Sequence, residues 1–389
     1  MTKLRLREFA AHDAAAVAAL HERAYPHSRW PSPGARAAYF REVLLHNPWV
    51  DPQLPSWVAE DDRGIAGFMG VIARPMRFGT RTIRVAVACQ LMVDPDRRTG
   101  FAALELIRRY FAGPQDLSVA DGANDASRQC WEAAGGAASP LHSLHWVRLL
   151  RPAQGALELA ASRPGLRALS ALARPLAALA DACIPARRTQ TLQCEALDAA
   201  ALAEAMRELR GAFSLRPLYD AASLSWLLGQ AQAKRRYGPL QGSLLREQGG
   251  RVAGWYLYYL NGRMSQVLQV GARRERAGGV LEHLFEHARA QGAVAIQGRL
   301  EPSLAQGLQG RRCLLQSRGI ATLVHARDPG LLVPFFRGDA LFTRLDGEWW
   351  TRFDGEPQQP SGAEPERGRS NPPEPLAGSA KRKIALTPF

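Results

Sequence analysis

The sequence predicts a mixed α/β (α+β) chain in which one order of elements is used twice. Three observations carry this. Short segments with the period-two alternation of strands interleave with segments of helical period. The order found in residues 1–150 returns after residue 190. The length, 389 residues, suits two domains rather than one. Apolar residues make up 46% and charged residues 22%, which excludes a wholly disordered or collagen-like chain.

Residues 3–9 (KLRLREF) alternate as a half-buried strand does, and an Ala-rich helix is expected from Asp13 to Tyr25. A second helix is expected over Ala35–His46, then a strand at 56–60, a turn at Asp62–Gly64 and a long apolar strand over Ile65–Met76. A further strand, Thr82–Val93, ends at Asp94-Pro95; helix Gly100–Phe111, strand Leu117–Ala120, helix Asn124–Ala134 and strands through His142–Leu150 follow. After residue 190 come strand Thr191–Ala196, helices Asp198–Leu209 and Ala221–Gln232, and a strand ending at Glu247. Strands Val252–Leu260 and Ser265–Val270, an Arg/Gly loop, helix Val280–Gln291 and strand Val294–Leu300 complete the repeat. The expected organisation is therefore a first domain over 1–150, a basic amphipathic linker over 151–190, a second domain over 191–353 and a disordered Pro/Gly/Ser/Glu-rich tail over 354–389.

In the linker, Leu166, Leu169, Leu172, Leu176, Leu179 and Cys183 recur at helical steps. With only Arg167 and Arg174 off the stripe, this helix is expected to pack on protein rather than lie in a membrane interface, and Pro175 is expected to bend it.

The net charge is +14, and 46 of the 50 basic residues are Arg. Residues 1–150 carry 18 basic and 15 acidic side chains, residues 151–190 six and two, and residues 191–353 carry 21 and 14. The excess in the middle and second half would suit an anionic ligand, an acidic membrane surface or RNA. No apolar run is long enough for a transmembrane helix, and the N-terminus lacks the apolar core of a secretory signal. The five cysteines are scattered without a CxxC pair, which argues against a disulfide framework or zinc finger. The expected compartment is the cytoplasm.

Two short patterns carry chemistry. Strand Leu91-Met92-Val93 runs through Asp94-Pro95 into Arg97-Arg98-Thr99-Gly100-Phe101-Ala102 and a helix. A helix N-terminus offers unpaired N–H groups and positive dipole to an anion, and Gly100 permits close approach of a phosphate. Downstream, Asn124, Ser127, Trp131 and Gly135 fit a helix capped at both ends.

Together the patterns resemble the Gcn5-related N-acetyltransferase (GNAT) superfamily. Its R/Q-x-x-G-x-G/A loop is similar to Arg97-x-x-Gly100-x-Ala102, and its N-x-x-A-x-x-x-Y-x-x-x-G pattern to Asn124, Ser127, Trp131 and Gly135. The resemblance implies two tandem GNAT-like domains, each a central, mostly antiparallel sheet flanked by helices. It also implies an N-acyltransferase using acetyl-CoA (acyl-CoA) as co-substrate. The amides of Arg98, Thr99, Gly100, Phe101 and Ala102, with the charge of Arg97, would hold the pyrophosphate. The backbone of Leu91 and Val93 would pair with the pantetheine, and Asn124 would bond near its thioester end. Glu60, Gln90 and Asp121 lie at strand ends where the family's bases occur. Trp131 stands where many members place the Tyr that protonates the departing thiolate, and an indole N–H cannot serve so.

The second half resembles the fold more loosely. Gly278 could face a phosphate, but Glu275 replaces the expected Arg or Gln and no Asn-containing pattern follows, so this half reads as a degenerate repeat. Leu345-Asp346-Gly347-Glu348-Trp349-Trp350 joins two acids to two indoles, a combination suited to gripping polar groups. His283-Leu284-Phe285-Glu286-His287 spells H-x-x-E-H but lacks an obvious third ligand, so no metal is expected. The expected acceptor is an amine on a small molecule or sugar-type precursor. A transferase using aminoacyl-tRNA, as in the Fem-type enzymes with twinned GNAT-like domains, is the less favoured reading. A catalytically silent coenzyme A-binding module is the third.

Overall fold

In the first half of the chain, β1 (Arg5–Glu8), α1 (Ala14–Ala24) and α2 (Pro33–Leu45) precede a meander of β2 (Trp57–Asp61), β3 (Gly64–Phe78) and β4 (Arg81–Val93). Then come α3 (Phe101–Phe111), β5 (Leu117–Ala123), α4 (Asp125–Ala133), β6 (Ala137–Ser139) and β7 (Leu144–Leu149). A hairpin of α5 (Pro152–Ala161) and α6 (Arg167–Ala182) leads to β8 (Gln193–Ala196), α7 (Ala199–Glu208), β9 (Leu215–Pro217) and α8 (Ala221–Gln232). The second meander is β10 (Leu240–Arg246), β11 (Val252–Tyr259) and β12 (Met264–Ala272). It is followed by α9 (Ala277–Ala290), β13 (Ala295–Arg299), α10 (Ala305–Leu308), β14 (Leu314–Ser317), β15 (Ala321–Ala326) and α11 (Val333–Arg337). These assignments come from a computed structural model that describes residues 4–26, 30, 32–97, 101–161, 167–184, 192–209, 211–348 and 351. The sequence-based expectations for Arg98, Thr99, Gly100, Leu166, Trp349, Trp350 and the tail 354–389 lie outside the described residues, as does the side chain of Leu169.

The strands form two sheets. One runs β1-β2-β3-β4-β5-β15-β6, with β9 on β3; the other runs β14-β7-β13-β12-β11-β10-β8. Each has one parallel pair, β4–β5 and β12–β13, and the remaining pairs are antiparallel. The sheets exchange strands: β7 pairs with β13 in the second sheet, and β15 pairs with β5 in the first. One apolar core includes Phe40 and Phe68 from the first half with Leu227, Trp255 and Leu341 from the second. Helix starts follow local chemistry. The side chains of Ser32, Asn124, Asp198 and Asp220 each accept a backbone N–H three residues on, satisfying donors that the first turn cannot pair.

Helix α6 corrects an expectation. Leu172, Leu176 and Leu179 are exposed, and the helix packs through Ser170, Ala177 and Asp181 instead. The Asp181 carboxylate accepts from the N–H groups of Ala153 (2.9 Å) and Gln154 (3.0 Å), capping the start of α5. Periodicity had identified an amphipathic helix; a buried cap and small side chains decided which face the protein covers. Among the described residues no helix is long and apolar enough to cross a membrane.

Candidate active site

Strands β4 and β5 pair only over Val85↔Leu117, Ala86↔Ser118 and Val87↔Val119. Beyond that they part, because each is held on its other side. β4 stays on β3 through Met92 and Val93, while β5 stays on β15 through Ala120 and Ala123. A bulge in β4 aids the divergence: the register against β3 shifts between Phe68 and Gly70, and Gln90 sits at φ 52°, a left-handed conformation uncommon for a residue with a Cβ. The result is a wedge of about 510 Å3 between two unpaired strand edges. Small side chains keep it open: Ala88 on β4, and Ala120, Gly122 and Ala123 on β5. Asn124, which caps α4, lines it with Ser127 and Trp131 of that helix, as do His21, Tyr25 and Arg236.

A carboxylate stands between the parted strands. The chain after α11 re-enters the molecule, with Leu341 to Asp346 buried, and delivers Glu348 to the wedge. Glu348 Oε2 accepts from the Gln90 N–H at 3.2 Å. On the β5 side, a Cβ on Gly122 would lie 2.7 Å from Glu348 Oε1, so the glycine makes the space the carboxylate uses. The Glu348 N–H donates to Asp121 Oδ1, and a Cβ on Gly347 would overlap that carboxyl. Asp121 is in turn held by Arg299 (3.0 Å), which also donates to the Phe342 carbonyl and lies 3.5 Å from Glu301. Asp346 accepts from Thr343 N (2.7 Å), from Thr343 Oγ1 (2.6 Å) and from Tyr219 Oη, which fixes the turn just before Glu348.

Burial sets the protonation around this network. Burial pushes the Cys89 thiol, which lines the wedge, well up, and the charges of Glu348 and Asp121 push it further; it stays a thiol and is no nucleophile. Burial raises Glu301 to about 7 against the pull of Arg299. His142 and His145 are lowered to about 3 by burial, with Arg299 and, for His145, Arg344 adding to the cost of a charge.

The residues singled out from sequence fall in different places. Leu91, Gln90 and Asn124 line the wedge. Val93 pairs with Gly67 on β3. Ala102 is buried in α3 and Phe101 is exposed at its start. The Arg97 guanidinium is bound by the β2–β3 turn, donating to Asp61 Oδ1 at 2.9 Å and to the carbonyls of Gly64 and Arg63. Asp121 lies behind the wedge as the support of Glu348. Glu60 is on β2, bound by Arg7 at 2.8 Å, and does not line the wedge. The Trp131 indole donates to the Val324 carbonyl at 3.2 Å, tying α4 to β15. Sequence reasoning did not assign Glu348 to the site. Its signal was the acid–aromatic cluster at 345–350, but nothing in that string connects it to strands more than 220 residues earlier.

No protein-family model matches the sequence, and no curated protein matches it. Among solved structures, the chain is similar to a GCN5-related N-acetyltransferase from Anabaena variabilis at 11% identity and TM-score 0.56, covering 83% of this chain and 73% of that one. It is also similar to a GCN5-related N-acetyltransferase from Kribbella flavida at 11% identity and TM-score 0.52, covering 84% and 72%. The chain thus has the fold of the GCN5-related N-acetyltransferases, across both sheets.

Proposed function

We propose that the chain is an N-acyltransferase that moves an acyl group, acetyl in the simplest case, from acyl-coenzyme A to an amine of a small-molecule or sugar-type acceptor in the cytoplasm. The observation that carries the reading is Glu348, a carboxylate set against the unpaired edge of β4 inside an open wedge. An extended ligand can add to such an edge as a strand does, which suits the pantetheine arm along Leu91 and Val93. Asn124 Oδ1 is used in capping α4, which leaves its Nδ2 to donate to the ligand. The pyrophosphate would sit at the start of α3, on residues 98–102, as the sequence pattern suggests. The acceptor would lie beside Tyr25 and Arg236, which also line the wedge. Glu348 takes a proton from the attacking amine as the N–C bond forms, the C–S bond breaks, and coenzyme A leaves as a thiolate. Trp131 supplies no acid for that thiolate, since its N–H is spent on Val324.

The test is thiol release from acetyl-coenzyme A across a panel of amines. Glu348→Gln should keep coenzyme A binding within about twofold while lowering kcat by about 10^2–10^4. Unchanged turnover in Glu348→Gln would remove the base. Tight coenzyme binding with no turnover of any amine would favour the silent binding module, a reading motivated by Trp131.

A further inference from the structure

We propose that the amine acceptor carries an anionic group, a carboxylate or a phosphate, and that Arg236 is the residue that selects it. The inference rests on the acyltransferase reading of the wedge. Among the described residues that line the wedge there is one carboxylate, Glu348, and one guanidinium, Arg236. Glu348 serves the amine. Arg236 adds a cation to the same space, and a planar guanidinium binds the oxygens of a carboxylate or phosphate through two parallel N–H bonds. An acceptor with an amine at one point and an anion at another meets both groups. Arg236 is exposed, so a ligand in the open wedge can reach it.

The turn that brings Arg236 to the wedge is fixed on both sides. It is the 3-10 turn Arg235–Tyr237 that follows α8. The Tyr237 N–H donates to the Lys234 carbonyl at 3.1 Å, and the Gly238 N–H to the Arg235 carbonyl at 2.9 Å. Gly238 closes the turn at φ 96°, where a Cβ would strike the Leu260 carbonyl. Lys234 Nζ donates to the Tyr39 hydroxyl of α2 at 2.6 Å, which ties the turn to the first half of the chain. The Arg236 guanidinium lies 5.0 Å from the centre of the Tyr237 ring, and Tyr237 packs 5.4 Å from the buried Tyr259. A cation held in this way loses little freedom on binding an anion. Charge narrows the acceptor class further. Arg236 is the last of three consecutive cations, Lys234, Arg235 and Arg236. A polyamine or a polycationic aminosugar would bring like charge beside them, whereas an amino acid or an amino-sugar phosphate brings the matching charge.

The experiment is a steady-state assay of the full-length protein with acetyl-coenzyme A and matched acceptors: amino acids against their amides, amino-sugar phosphates against the unphosphorylated aminosugars, and spermidine. One anionic set should exceed its uncharged counterpart in kcat/KM by about tenfold or more, and which set does so identifies the anion as carboxylate or phosphate. Arg236→Met should reduce that preference by about tenfold, chiefly through KM. Arg236→Lys, which keeps the charge but not the fork, should retain part of it. Acetyl-coenzyme A affinity of Arg236→Met, measured by calorimetry, should stay within about twofold of wild type. Equal use of charged and uncharged acceptors, or a preference that survives Arg236→Met, overturns the proposal and leaves the acyltransferase reading standing. Loss of acetyl-coenzyme A binding in Arg236→Met overturns it too, since the guanidinium would then serve the coenzyme. Failure to turn over any amine removes the acyltransferase reading itself, and this inference with it.

Discussion

Where β4 leaves β5, the wedge is walled by Ala88, Ala120, Gly122 and Ala123 and encloses about 510 Å3. Where β12 leaves β13, after Gln266 and Gln297, about 10 Å3 remains. The backbones meet the same problem at both places, and the side chains give opposite answers. In the second wedge the Trp146 indole fills the space over Gly298, where a Cβ would lie 2.5 Å from the ring. Arg344 reaches in to Gln266 Oε1 (3.3 Å) and the Val267 carbonyl (3.4 Å). At the start of α9, a Cβ on Gly278 would lie 2.7 Å from the Arg311 guanidinium, which is paired with Glu282 at 3.1 Å. The helix terminus that could have faced a phosphate is therefore covered by a cation of the chain itself. The lesson is that a parted parallel pair becomes a site only when small residues leave it empty. Arginine and tryptophan turn the same geometry into a core that holds the first wedge in shape, through Arg299 and Asp121.

Breaking that support should have the largest effect. Arg299→Met leaves the Asp121 and Glu301 carboxyls buried without their partner, and urea unfolding should show a loss of about 3–5 kcal/mol. A loss below about 1 kcal/mol would mean the network is not what joins the two wedges.

A paired substitution sharpens the contrast. Gly122→Ala and Gly298→Ala each place a methyl against a neighbour, Glu348 in the first wedge and Trp146 in the second. Each should cost about 1–3 kcal/mol in stability. Only Gly122→Ala should also lower turnover, by about tenfold or more, because it displaces the carboxylate rather than a core ring. Equal turnover in the two variants would deny the wedges their different roles.

The smallest effect is one of pH. Unfolded imidazoles charge near 6.5, whereas folded His142 and His145 do not charge until about 3, so acid favours the unfolded chain. Their contribution is complete above pH 6.5 and is lost progressively as pH falls toward 3. Glu301, at about 7 when folded against an ordinary value near 4.5, opposes this, gaining stability as pH falls through that interval. In urea unfolding, His145→Gln should flatten the fall in stability between about pH 7 and 5, and Glu301→Gln should steepen it, each by on the order of 1 kcal/mol.

Much of this fold was legible in the residues. The alternation over 82–93 and the Asn124–Ser127 cap gave β4 and α4 nearly as they stand, because both are local devices. Strand partners were not legible: the patterns at 144–149 and 321–326 mark strands without saying that they cross into the opposite sheets. The partners of Arg97 were hidden for the same reason, since its guanidinium donates to a turn at 61–64 that the loop pattern does not contain. Glu348 was hidden by distance along the chain, and the outward leucines of α6 by the fact that a helical stripe does not name what covers it.

The claim that one wedge is a site and the other a core is tested most directly by calorimetric titration of acetyl-coenzyme A into the full-length chain. We predict one site per chain, abolished by Ala120→Trp, which would fill the first wedge as Trp146 fills the second. Two equivalent sites, or one site indifferent to Ala120→Trp, would contradict the account.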